Sequence, residues 1–205
     1  MQYPVPAGPA EFELVIKRSQ FITYSGRASN REEAEAFIRD LRERYPDARH
    51  VCWAYIAGAP NTTVMSMSDD GEPSGTAGRP MLNVLQHSGI GEIVVAVVRY
   101  FGGIKLGTGG LQRAYADAVL GVLEAQPLVT KIPRTAFVID YDYSLDNSVR
   151  HILSGFDVEQ PDYQYDARVS MSGWVDTAQA QTLVEQITNV TAGAARVTLP
   201  ESTDS

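Results

Sequence analysis

The chain has 205 residues, a formal net charge of −8, 44% hydrophobic and 20% charged residues, and a single cysteine. These values exclude a disordered or low-complexity chain, an intrachain disulfide framework and a broadly basic nucleic-acid surface. Cys52 alone fits a reducing compartment, no basic and apolar leader opens the sequence, and no apolar run is long enough to span a bilayer; a cytoplasmic protein without a membrane partner is expected.

Residues 1–10 contain three prolines and predict an irregular lead-in. Phe12, Leu14 and Ile16 alternate with polar residues as in a strand, and Gln20 to Tyr24 predicts a second. Arg31 to Tyr45 has the spacing of an amphipathic helix, with Ala34, Phe37, Ile38, Leu41 and Tyr45 on one face, Asn30 as its cap, and Pro46 ending it. Val51 to Ile56 and Thr63 to Met67 predict strands joined by a turn-rich GAPN. A short helix is expected over Pro80 to Ser88, closed by Gly89. Ile93 to Val98 is a continuous apolar run, as in a strand buried on both faces. Leu111, Ala114, Tyr115, Ala118 and Val122 then recur at helical spacing, so a helix starts near Gly110.

The stretch from Gln126 to Pro133 marks a boundary, giving domains 1–128 and 129–205. Residues 1–130 carry 12 basic and 14 acidic side chains, residues 131–205 carry 5 and 11. Only the first domain could present a local basic face. In the second, Ala136 and Val138 begin a strand, and Val149, Ile152, Leu153 and Phe156 mark a helix. Tyr163 to Met171 predicts a strand with Tyr165, Ala167, Val169 and Met171 alternating. Ala180, Leu183, Val184 and Ile187 mark a helix capped by Asp176 or Thr177, and Ala195 to Leu199 a last strand. The order β-α-β-(β)-α-β is that of a small split βαβ domain, so the fold class is two-domain α+β. Glu201 to Ser205 is expected to be a frayed tail.

Two loops carry the candidate chemistry. Arg99 to Gly110 lies between the apolar strand and a helix. Gly102, Gly103, Gly107, Gly109 and Gly110 let backbone N–H groups approach an anion, and a helix N-terminus adds free donors and positive partial charge. Arg99, Lys105 and Arg113 add full charges, Thr108 a hydroxyl, and Tyr100 a ring able to stack on a base. Phosphate, free or in RNA, is the anion expected. The loop is not a Walker A motif, since Thr108 stands where lysine is needed, nor a dinucleotide fingerprint, since Gln112 stands at the third glycine position. The competing explanation is structural: the glycines make a tight turn and permit close strand–helix packing.

The other loop, Ser68 to Arg79, carries Asp69, Asp70, Glu72, Ser74, Thr76 and Arg79. Its carboxylates could hold a divalent cation, although calcium-loop spacing is missing. Arg79 either pairs with one of them or faces a ligand. The helix and strand between the loops are antiparallel traverses of similar length, so both loops should meet at the strand's C-terminal end. There the acidic loop would be partner to the basic one. No metal, cofactor or catalytic residue is assigned. His50 and Cys52 share a strand face, but a nucleophile pair needs a third orienting group, and Cys52 is expected in the core. His87 is placed at a helix C-terminus, and the scattered histidines argue against structural zinc.

The segments SDDGEPSGTAGRP and VVRYFGGIKLGTGGLQRAY, with the upstream HVCWAY and KRSQFI, resemble the signature of the YigZ/Impact family over Phe12 to Leu123. Val51 stands where a second histidine is common in that family and Gln20 where arginine is common, so no role is carried to either. The resemblance implies a first domain similar to one shared by ribosomal proteins and elongation factor G, and a ferredoxin-like second domain. Eukaryotic relatives of the first domain regulate translation. The resemblance therefore implies a translation-linked binding protein with RNA or the ribosome as partner, and no DNA. Two alternatives stand beside it: a metal-assisted phosphoesterase or nucleotide-binding enzyme using Asp69, Asp70 and Glu72, and a protein-interaction module.

Overall fold

The computed structural model describes residues 2–199. They divide into two compact units, Tyr3–Lys131 and a second beginning at Ile132. The expected boundary after residue 128 falls inside a strand, Leu128–Lys131, that pairs with Tyr3–Pro6. Among the described residues no helix is long and apolar enough to cross a membrane.

The first unit is built on a five-stranded antiparallel sheet. Its elements are β1 (Tyr3–Pro6), β2 (Ala10–Ile16), β3 (Ser19–Arg27), α1 (Arg31–Arg44), β4 (His50–Ile56), β5 (Met65–Ser68), α2 (Gly78–Ser88), β6 (Ile93–Tyr100), α3 (Gly107–Ala125) and β7 (Leu128–Lys131). The sheet order is β2-β3-β6-β4-β5, so β6 is central. Its side chains alternate between two cores. Ile93, Val95 and Val97 join Phe21, Cys52 and Ala54 beneath α2 and α3. Val94, Ala96 and Val98 face the other way, toward α1. The unbroken apolar run of β6 thus follows from helices on both faces of an antiparallel sheet, not from parallel pairing.

Local chemistry fixes the element ends. Asn30 accepts the Glu33 N–H (2.9 Å) as the cap of α1, while the Glu33 carboxylate reaches back to Ser29. Gly89 closes α2 in the left-handed region (φ 71°) that glycine adopts without strain. Phe12 of β2 lies directly on Gly121 of α3, where an added Cβ would come 2.2 Å from the ring.

The proline-rich start is not irregular. β1 and β7 form a two-stranded sheet in which Tyr3 is the Cα partner of Lys131. Pro4 and Pro6 are tolerated because this strand has only one strand neighbour. Glu92, 2% exposed, fastens the clasp by pairing with Lys131 and Arg27 and accepting from the Tyr3 hydroxyl. Burial raises the Glu92 carboxyl, but Lys131 and Arg27 outweigh it and hold the group below the usual carboxylate range.

The second unit contains β8 (Arg134–Tyr141), α4 (Asp146–Leu153), β9 (Glu159–Tyr165), β10 (Val169–Asp176), α5 (Ala180–Val190) and β11 (Arg196–Thr198). Its antiparallel sheet runs β11-β8-β10-β9, the split βαβ order, with Phe137, Ile139, Met171, Leu183 and Ile187 in its core. The single strand expected over Tyr163 to Met171 is instead the end of one strand and the start of the next. The apolar alternation runs across the hairpin, with Ala167 in the turn. The tail Glu201 to Ser205 lies outside the described residues.

Candidate functional site

The two loops meet at the C-terminal end of β6. Arg99, the penultimate residue of β6, donates to Glu72 of the acidic loop (2.6 Å); the two are 7% and 8% exposed. A cleft of about 670 Å³ opens beside this pair, within the size range of small-ligand sites. Lys105, Leu106, Gly107 and Thr108 line it, together with Tyr100 and Phe101. His50 and Glu72 line it too, with Asp47 and Arg49.

The helix expected near Gly110 begins at Gly107. Gly107, Thr108, Gly109 and Gly110 therefore make its first turn, and the true loop is Phe101 to Leu106. Among the described residues no side chain caps α3, no acidic residue occupies its first turn, and Gly107 to Gly109 are exposed, so its opening amides and positive dipole end are left to solvent or a ligand. Gly107, with φ 73°, makes the turn from loop to helix. Gly102 serves differently: its N–H donates to Ser19 Oγ (3.2 Å), and it packs on the Lys17–Arg18 turn of the β2–β3 hairpin. That turn sets two basic, exposed residues against the Gly loop.

Arg99 is the buried charge of the site. Its NH1 is taken by Glu72, its NH2 lies 3.4 Å from Ser19 Oγ, and its Nε has no partner among the described residues. The guanidinium sits over Phe21 (5.5 Å) and Phe101 (5.7 Å). Glu72 Oε1 also accepts from Tyr115 (2.8 Å) of α3, which in turn contacts Cys52 Sγ (3.3 Å). Burial, then the neighbouring Cys52 and Glu72, push the Tyr115 hydroxyl far above its usual value. Burial likewise pushes the Cys52 thiol up, which keeps it protonated and inert.

The acidic loop does not gather its carboxylates into a cation site. Asp69 accepts the backbone N–H groups of Gly75 (2.8 Å), Ala77 (3.0 Å) and Gly78 (2.8 Å), so it moulds the loop into the start of α2. Burial raises its carboxyl, but those three donors outweigh it and hold the group below the ordinary value. Asp70 takes Arg42 (2.7 Å) and the Val51 N–H (2.8 Å). Of the three loop carboxylates, Glu72 is the one that lines the cleft. Among the described residues no cluster of three metal-ligating side chains forms. Thr76 bonds the Pro73 carbonyl within the loop (2.6 Å) and Ser74 is exposed. Arg79 is exposed near the start of α2 and makes none of the ion pairs found among the described residues. Arg113 is exposed on α3, and neither it nor Arg79 lines the cleft.

Sequence spacing missed His50, Asp47, Arg49 and Leu106 as lining residues. The available signal was strand pairing: His50 is the register partner of Arg99. His50 donates from Nδ1 to the Asp70 carbonyl (2.8 Å), and Tyr100 donates to Asp47 (2.9 Å).

A helix-sandwiched antiparallel sheet with an uncapped helix at the end of its central strand, followed by a βαββαβ unit, defines the architecture. Residues 17–123 match the Impact N-terminal domain, and residues 139–194 match a domain of unknown function (DUF1949). The chain is 39% identical to an IMPACT family member of Haemophilus influenzae over 98% of both chains. It is 43% identical to IMPACT family member YigZ of Escherichia coli over 78% of this chain and 80% of that one. With YvyE of Bacillus subtilis it shares 36% identity over 89% and 84%. A solved structure described as "Crystal structure of an hypothetical protein" superposes with a TM-score of 0.71 at 36% identity, covering 98% of each chain. The chain belongs to the IMPACT family.

Proposed function

We propose that this protein binds RNA, as a translation-linked factor, through the cleft between the Gly loop and the acidic loop of its first unit. The observation that carries this reading is the convergence of three kinds of anion donor on one cleft. These are the uncapped N-terminus of α3, the exposed Lys105, and the guanidinium charge of the buried Arg99. Tyr100 and Phe101 at the same cleft offer rings for a base. The link to translation comes from the family resemblance. Residues 131–205, with 5 basic and 11 acidic side chains, have no net positive charge to attract phosphate.

The test is fluorescence anisotropy with labelled single-stranded RNA and sedimentation with ribosomal subunits, at several salt concentrations. Binding should weaken with salt. Lys105→Ala should lower affinity and reduce the slope of log K against log salt by roughly 0.7. Absence of binding to either probe at low salt overturns the reading.

A further inference from the structure

We infer that the cleft selects a ribose phosphate, recognising the sugar 2′-hydroxyl with His50 and Glu72 while its donors hold the adjoining phosphate. This rests on the phosphate reading of the cleft and adds the class of sugar.

The donors of the cleft explain an anion but not the His50 and Glu72 side chains that line it with them. Beside Arg49, the His50 and Glu72 side chains present acceptors. The Asp70 carbonyl can only accept, so His50 Nδ1 carries a hydrogen, and in the neutral ring Nε2 is left with its lone pair. Glu72 spends Oε1 on both Arg99 and Tyr115. Its Oε2 has as neighbour His50 Nε2 at 4.0 Å, too far for a hydrogen bond. Two acceptors therefore stand together beside the buried Arg99. A bare anion would be repelled by Glu72 and would leave both acceptors unsatisfied. A ligand with a hydroxyl next to its phosphate satisfies both halves of the cleft: the phosphate takes Lys105, the α3 amides and Arg99, and the hydroxyl donates to Nε2 or Oε2. Ribose carries such a hydroxyl and deoxyribose does not, and this group is what distinguishes RNA from DNA at a given site. A ligand without it covers these two acceptors and offers them no donor in place of water, the costly direction of hydrogen-bond loss.

The experiment compares labelled hexauridylate with the hexamers of deoxyuridine and of 2′-O-methyluridine on the full chain by anisotropy. The ribose hexamer should bind about tenfold more tightly than the other two, which should be alike. The 2′-O-methyl probe keeps a ribose-like pucker but has no hydrogen to donate. His50→Asn retains a donor for the Asp70 carbonyl and removes the Nε2 acceptor, so the ribose-to-deoxyribose ratio should fall toward one. Equal binding of all three hexamers to the wild-type protein overturns the inference and leaves phosphate binding standing. A ratio unchanged in a folded His50→Asn variant overturns the assignment to His50. Failure of every hexamer to bind at low salt overturns both the inference and the reading beneath it.

Discussion

Gly102 and Gly103 adjoin in sequence but are required for different reasons, and substituting each by alanine separates the two. A Cβ on Gly102 would lie 2.0 Å from the Arg18 carbonyl carbon, 2.2 Å from its oxygen and 2.5 Å from its Cβ. Most of that obstruction is backbone, so no rotamer relieves it. The β2–β3 turn or the Gly loop must move, which also strains the Gly102 N–H bond to Ser19. Overpacking typically costs about 1–3 kcal/mol and a displaced hydrogen bond about 1 kcal/mol, so Gly102→Ala should cost roughly 2–4 kcal/mol. Gly103 meets nothing within 4 Å but has φ 87°. Gly103→Ala should therefore cost only the left-handed penalty, about 1–2 kcal/mol. Urea unfolding measures both, in a Trp174→Phe background so that Trp53 alone reports on the first unit. A Gly102→Ala cost below about 1 kcal/mol, or one no larger than that of Gly103→Ala, refutes the packing explanation.

Three further outcomes are expected. Asp69→Asn should destabilise the first unit by about 1.5–3 kcal/mol at neutral pH, because one amide oxygen cannot serve three donors. Since the folded Asp69 carboxyl lies below its ordinary value, its stabilisation is present above about pH 4 and lost as pH falls through the lowered value. The wild-type acid limb should accordingly be steeper than that of the variant. Glu92→Ala should cost about 3 kcal/mol by urea titration at neutral pH, since it frees Lys131 and Arg27 and unfastens the β1–β7 clasp. Cys52 should resist alkylation at mildly alkaline pH in the native protein and react at once in urea, checked by mass spectrometry; rapid native labelling would contradict its burial.

The central strand and the helices beside it were legible because hydrophobic periodicity reports burial directly. Ile93 to Val98 announced two covered faces, and Asn30 announced the start of α1. The start of α3 was placed three residues late because Gly107 to Gly110 have poor helix propensity, and the helix begins there through its loop geometry. The β9–β10 turn was hidden since the alternation of Tyr165, Ala167, Val169 and Met171 carries through it. β1 was hidden because prolines mark edge strands as readily as coil. At the cleft, the meeting of acidic and basic loops was foreseeable from element lengths. The partners of the individual carboxylates were not. Asp69 is spent on backbone amides and Asp70 on an arginine in α1, pairings that spacing along the chain does not encode. His50 entered the cleft only through its register with Arg99.

The β1–β7 clasp makes the first unit a closed loop of chain, since Tyr3 and Lys131 are paired neighbours. Circular permutation follows from this. Its two ends can be joined by a short linker and the chain reopened in the exposed turn at Asn61, between β4 and β5, without breaking a strand of the sheet or touching the cleft. The same adjacency lets the unit be spliced into a surface hairpin of another protein, entering and leaving at one point, as a portable cassette.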